Sequence, residues 1–158
     1  MRLRVLDVFR DRTGTGVIEF AIVLPVLLVL VLGLAQFGII FYDYIIVANA
    51  AATGARQFSI SATDKTAYTD TVNTIIASTS LTPALTTSNI TLTVNGTACS
   101  TDASCNAALY AALIANTTPP EPTIVSISYP CSIQLMPTYL IDLTGICPLK
   151  SKMQLPVQ

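Results

Sequence analysis

The chain contains no histidine, which removes most zinc-site and thiol-protease readings, since both usually need an imidazole. It also lacks a glycine-rich phosphate loop, and the acids Asp64, Asp70, Asp102, Glu121 and Asp142 are scattered along the sequence. A general acid and base therefore have no visible seat, and neither an enzyme nor a cofactor is expected. A basic patch is missing as well: from Thr15 onward four basic residues stand against seven acidic ones, which argues against a nucleic-acid partner. Cysteine is absent before Cys99.

What the chain does have is a long apolar run. Between Phe20 and Tyr42 lie 23 residues of which only Gln36 is strongly polar. At about 1.5 Å per residue the run reaches about 35 Å as a helix, enough to cross a hydrocarbon core of about 30 Å. Glu19 sits at its inner edge. A carboxylate at the centre of a spanning helix costs about 2.5–3.5 kcal/mol, and less near an end. An acid there has two readings: a functional group, or a boundary residue snorkelling into the headgroups.

The flanks orient the span. Arg2, Arg4, Arg10 and Arg12 precede it against only Asp7 and Asp11, and basic residues stay on the cytoplasmic side, so the N-terminus is expected inside and the C-terminal part outside. Tyr42 and Tyr44 close the run as an outer aromatic belt would. Ala48-Asn49-Ala50 forms a signal-peptidase-like pattern, but the apolar region before it is about twice the 7–15 residues of a signal core, so an uncleaved anchor is preferred.

These residues resemble a known family. An arginine-rich leader, then Gly14, with Glu19 and Phe20 at the fifth and sixth positions after it, is similar to the type IV prepilin processing site in the form used by the tight-adherence (Flp) pilus system. The continuation Glu19-Phe20-Ala21-Ile22-Val23-Leu24-Pro25, followed by Asn49-Ala50-Ala51 and Gly54-Ala55-Arg56, resembles the TadE-like minor pilins, or pseudopilins. The resemblance implies a bitopic protein of the bacterial inner membrane, cut between Gly14 and Thr15 by a prepilin peptidase, with incorporation into an extracellular pilus as a further implication. Gly16 offers a rival cleavage register, but it would leave Glu19 only three residues from the new amine. Implied partners are the peptidase, other minor pilins, the major pilin, the inner-membrane assembly platform and the lipid bilayer. Glu19 and Phe20 are then recognition and assembly residues, Glu19 neutralising the N-terminal amine of a neighbouring subunit.

Pro25 removes one backbone hydrogen bond and is expected to kink the helix, as a static bend or as a melting point during extraction from the bilayer. Gly33, Gly38 and the run Ala48, Ala50, Ala51, Ala52, Gly54, Ala55 allow close helix approach to a partner, or the alanines pack on the chain's own domain. Gly54 is read as a tolerated helix residue.

The expected fold is α+β, divided into a leader over 1–14, a transmembrane and extended helix over 15–58, and a periplasmic domain over 59–158. Ser61 is expected to cap a second helix with Tyr68, Val72, Ile75 and Ile76 on one face. Alternation in Ile90–Val94, Val125–Tyr129 and Leu149–Leu155 predicts a roughly three-stranded antiparallel sheet, the first strand ending at the turn signal Asn95-Gly96. Ala103–Ile114 reads as a short helix ended by Asn116.

Cys99, Cys105, Cys131 and Cys147 all fall on the exported side, where an oxidising periplasm favours disulfides. Of three possible pairings, Cys99 with Cys105 and Cys131 with Cys147 is preferred, because the second pair would staple the hairpin of the last two strands. The apolar segment Ser132–Ile146 is a partner surface, a membrane-resting lobe or part of the small core. Three functional classes stay open: a minor pilin taking part in biogenesis or priming of the pilus, an uncleaved membrane-anchored periplasmic scaffolding or binding module, and, least favoured, an enzyme.

Overall fold

The computed structural model describes residues 15–115, 117–130 and 148–158. Residues 1–14 with Gly14, Asn116, and the segment 131–147 with Cys131 and Cys147 lie outside the described residues. Helix α1 runs over Thr15–Ile60 and α2 over Ala67–Ala77; a 3-10 turn at Thr87–Asn89 leads into β1, Ile90–Val94. After β2, Thr97–Cys99, come α3, Asp102–Ala115, then β3, Pro122–Pro130, and β4, Pro148–Pro156. The class is α+β, and the chain divides into two compact units, Met1–Ile39 and Ile40–Gln158.

Helix α1 continues through Pro25, where the missing N–H leaves the Ala21 carbonyl without its usual donor. It passes the expected end at Phe58 and stops at Ile60. The Ser59 hydroxyl donates to the Arg56 carbonyl at 2.9 Å and the Ser61 hydroxyl to the Gln57 carbonyl at 2.6 Å. Ser61 therefore closes the first helix and does not cap the second. The position before α2 belongs to Thr66, whose hydroxyl donates to the Asp70 carboxylate at 2.6 Å.

The sheet has four strands in the order β2-β1-β3-β4, all antiparallel, where alternation predicts about three. Asn95 and Gly96, at φ 47° and 80°, make the left-handed pair of a tight hairpin turn. The return strand β2 pairs Val94 with Thr97 and Leu92 with Cys99. It is only three residues long and carries no alternation of its own, so pattern reading passes over it. The longest pairing joins β3 to β4, from Pro122 against Pro156 to Pro130 against Pro148.

Alternation places one face of the sheet inside. Ile90, Leu92 and Val94 from β1, with Val125, Ile127 and Tyr129 from β3, join Val47, Ala50, Ala51, Ala55 and Phe58 of α1 in one buried cluster. Val72 and Ile75 of α2 and Leu109 and Ala112 of α3 complete it. Among the buried polar groups, Thr123 donates to the Leu155 carbonyl at 2.8 Å, and Tyr129 donates to the Pro83 carbonyl at 2.8 Å. Burial, with the nearby Asp43 charge adding to it, holds the Tyr129 hydroxyl above the usual tyrosine range. The C-terminus is tied back to the end of α1 by the Gln158 N–H donating to the Ser59 carbonyl at 2.9 Å.

Thr71 is the exception. Its side chain is fully buried, yet its hydroxyl has no hydrogen-bond partner among the described residues. A buried unsatisfied hydroxyl costs about 1–3 kcal/mol, so Thr71→Val is expected to raise stability by about 1 kcal/mol in urea unfolding of the detergent-solubilised chain. A loss of stability would mean that the hydroxyl has a partner.

Candidate functional site

The candidate site is the N-terminal part of α1. Its most apolar 18-residue window has a mean hydropathy of 2.9 and buries no residue within the protein. Ile22 and Phe37 are each 70% exposed, and Phe20 is 63% exposed. A stretch of helix this apolar, with its large side chains exposed, suits a lipid or protein-lined setting. Among the described residues α1 alone is long and apolar enough to cross a membrane, which fits a single-pass anchor.

Thr15 is the first described residue of this helix, and its cleavage partner Gly14 lies outside the described residues. Glu19 follows Thr15 by four positions, one helical turn and about 6 Å along the axis. It is exposed, and it is the only ionisable side chain between Thr15 and Phe41. Helical periodicity brings Thr15 and Glu19 onto one side of the helix, at the end where the helix dipole favours an anion. Phe20 lies beside them, turned by one position. Gly33 and Gly38 have open space where a Cβ would stand.

Further along, the small-residue run serves the chain's own domain. Ala50, Ala51 and Ala55 are at most 1% exposed and lie in the core cluster. Gly54 belongs to the same run, and the close approach it allows is made within the chain. A Cβ there would stand 2.4 Å from Cγ1 and 2.5 Å from Cδ1 of Ile75, and 3.6 Å from Cγ1 of Val125. The glycine is where α1 admits α2 and the sheet. The run of small residues signals close approach, but nothing local to it names Ile75 as the neighbour.

The chain matches the TadE-like protein family over residues 14–56. Over that stretch it is TadE-like. No curated protein and no solved structure matches it. The TadE-like segment takes in Gly14, Thr15, Glu19, Phe20 and Pro25, the apolar span, and the part of α1 that packs into the core through Gly54 and Ala55.

Beyond the TadE-like segment, the remaining groups fit a structural domain. Cys99 of β2 and Cys105 of α3 form a disulfide with their Cα atoms 5.1 Å apart. Closing so short a loop contributes about 2 kcal/mol in the chain-entropy model. Asp102 accepts from the Thr69 hydroxyl at 2.6 Å and from the Thr69 N–H at 2.8 Å, joining the first turns of α2 and α3. Those two hydrogen bonds, the hydroxyl's foremost, hold its carboxyl below the usual carboxylate range. A cleft of about 490 Å³ on the sheet is lined by hydroxyl side chains with Lys150 and Lys152 of the edge strand, the residue type that keeps an exposed edge from pairing with another chain. Among the described residues, no three cysteine or acidic side chains gather as metal ligands would.

Proposed function

We propose that this chain is a minor pilin of a tight-adherence pilus, made as a single-pass inner-membrane precursor with its N-terminus in the cytoplasm and its C-terminal domain in the periplasm. Prepilin peptidase hydrolyses the Gly14–Thr15 amide, and glycine at that position lets the protease approach an extended backbone unobstructed by a Cβ. The new Thr15 amine heads a helix whose next turn carries Glu19. The mature chain then enters a pilus or priming complex by packing its apolar helix against those of other pilins, and performs no chemistry itself.

One observation carries this reading: an apolar, exposed span at the start of α1, whose one carboxylate before Tyr42 stands one turn after the proposed cut, within a TadE-like segment. An acid serving only as a boundary residue needs no fixed distance from a cleavage site, whereas an acid that pairs with a neighbour's new amine does. Deleting the chain from a piliated strain tests the proposal. Surface pili are expected to fall at least about tenfold and to return with the wild-type chain supplied in trans; unchanged piliation would contradict it.

A further inference from the structure

The sheet face turned away from the core carries charge of one sign. Thr91 of β1 stands opposite Ser126 of β3, and Ser126 opposite Lys152 of β4; in the next row Ser128 stands opposite Lys150. Strand alternation puts these five side chains on one face, while Val125, Ile127 and Tyr129 look the other way into the core. The 3-10 turn bounds this surface: the Asn89 amide donates to the Ser128 carbonyl at 3.0 Å, and its oxygen accepts from the Thr86 N–H at 3.1 Å. Together with Ser88 these residues line the cleft of about 490 Å³, and no acidic side chain is among its lining residues. Among the described residues Asp70 and Asp102 belong to α2 and α3, which pack on the other face, and Glu121 precedes β3 at the end away from Ser128. A solvated sheet face needs polar residues, and lysine protects an exposed edge. Neither need explains two unopposed lysines at the ends of rows of hydroxyls.

We propose that this cleft binds a phosphate monoester. Lys150 and Lys152 have their Cα atoms about 7 Å apart along the strand, and their flexible four-carbon stems let both ammonium groups close on one anion. A monoester carries a charge of about −2 above its second pKa of about 6 and offers three acceptor oxygens, so it balances the two lysines. A carboxylate or a phosphodiester brings a single charge and leaves one ammonium unmatched. The Ser126 and Ser128 hydroxyls, each opposite a lysine, donate to the oxygens that the ammonium groups leave open. The cleft exceeds a lone phosphate and has room for the small molecule that bears it. This inference needs only the C-terminal domain and is independent of the pilus reading.

The test is a phosphorus-31 NMR titration of glycerol 3-phosphate with the full chain in an uncharged, phosphate-free detergent. The wild type is expected to bind with a Kd of about 1 mM or below, K150Q/K152Q at least about tenfold more weakly and S126A about threefold more weakly. K65Q, which removes a lysine outside the cleft, is expected to bind as the wild type does. Both cleft lysines are exposed, and far-UV circular dichroism checks that the variants keep their fold. Glycerophosphoglycerol, a soluble diester with the chemistry of a phospholipid headgroup, separates the two sources of phosphate and is expected to bind at least about tenfold more weakly than the monoester. Equal binding of the diester would assign the cleft to a lipid headgroup and overturn the proposal. Unchanged binding by K150Q/K152Q would overturn it too, and so would an S126A variant that binds like wild type, since that leaves only a diffuse positive patch.

Discussion

Glu19→Gln is expected to be processed normally and to fail in assembly, with pili reduced at least about tenfold while the trimmed chain accumulates in the membrane. The substitution keeps the size of the side chain, removes its charge and turns one acceptor oxygen into a donor. Cleavage, in the account proposed here, needs the glycine and an extended backbone, neither of which the substitution touches. Assembly, in the account proposed here, sets the carboxylate of one subunit against the Thr15 amine of another. At about 4 Å and an effective dielectric constant of about 20, such a pair attracts by about 4 kcal/mol, and desolvation takes back much of that. The pair therefore adds little net stability. Its effect is on register: any other axial offset leaves two unpaired charges in an apolar setting, where breaking a buried pair costs about 3–5 kcal/mol. Glutamine leaves the charge of the amine uncompensated at every offset. Immunoblotting the membrane and sheared-pilus fractions reads processing and assembly separately, and normal piliation by this variant would remove Glu19 from the assembly account.

The second large effect belongs to Gly54. Helix propensity alone predicts that Gly54→Ala stabilises α1 by about 0.5–1 kcal/mol. The packing predicts the reverse, because the added methyl would lie 2.4 Å from Ile75 Cγ1, and Ile75 is fully buried and stiff at χ1. Overpacking of this kind costs about 1–3 kcal/mol, so Gly54→Ala is expected to lose about 1 kcal/mol net. Gly54→Val, with two further methyls beside Val125, is expected to lose about 3 kcal/mol or more. Urea unfolding of the detergent-solubilised chain measures both, and a Gly54→Ala variant more stable than wild type would show that α1 does not meet α2 this closely.

Gly54 also marks where sequence reading stops. The apolar span, Glu19 at its edge and the alternation in β1 and β3 are all local signals, each carried by a run of neighbouring residues, and the structure places those elements as expected. The Cys99–Cys105 pairing is local too, and it is present. What escapes is set by distance or by ambiguity of residue type. Ile75 reaches Gly54 from another helix, and the Asp102–Thr69 bonds join residues in two different helices. Serine is a good helix cap, yet its hydroxyl serves equally well bonding a carbonyl four residues back, and Ser61 does the latter. Strand β4 is legible but weakly so, because it is an edge strand whose Met153 is 37% exposed.

The central claim concerns a peptide bond, and the mature N-terminus tests it most directly. Intact-mass and N-terminal peptide measurements on the chain purified from cells with and without their prepilin peptidase are expected to give a start at Thr15 only where the peptidase is present. A chain that retains Gly14 and the residues before it in both strains would contradict the account and leave a membrane-anchored module that never becomes a pilin.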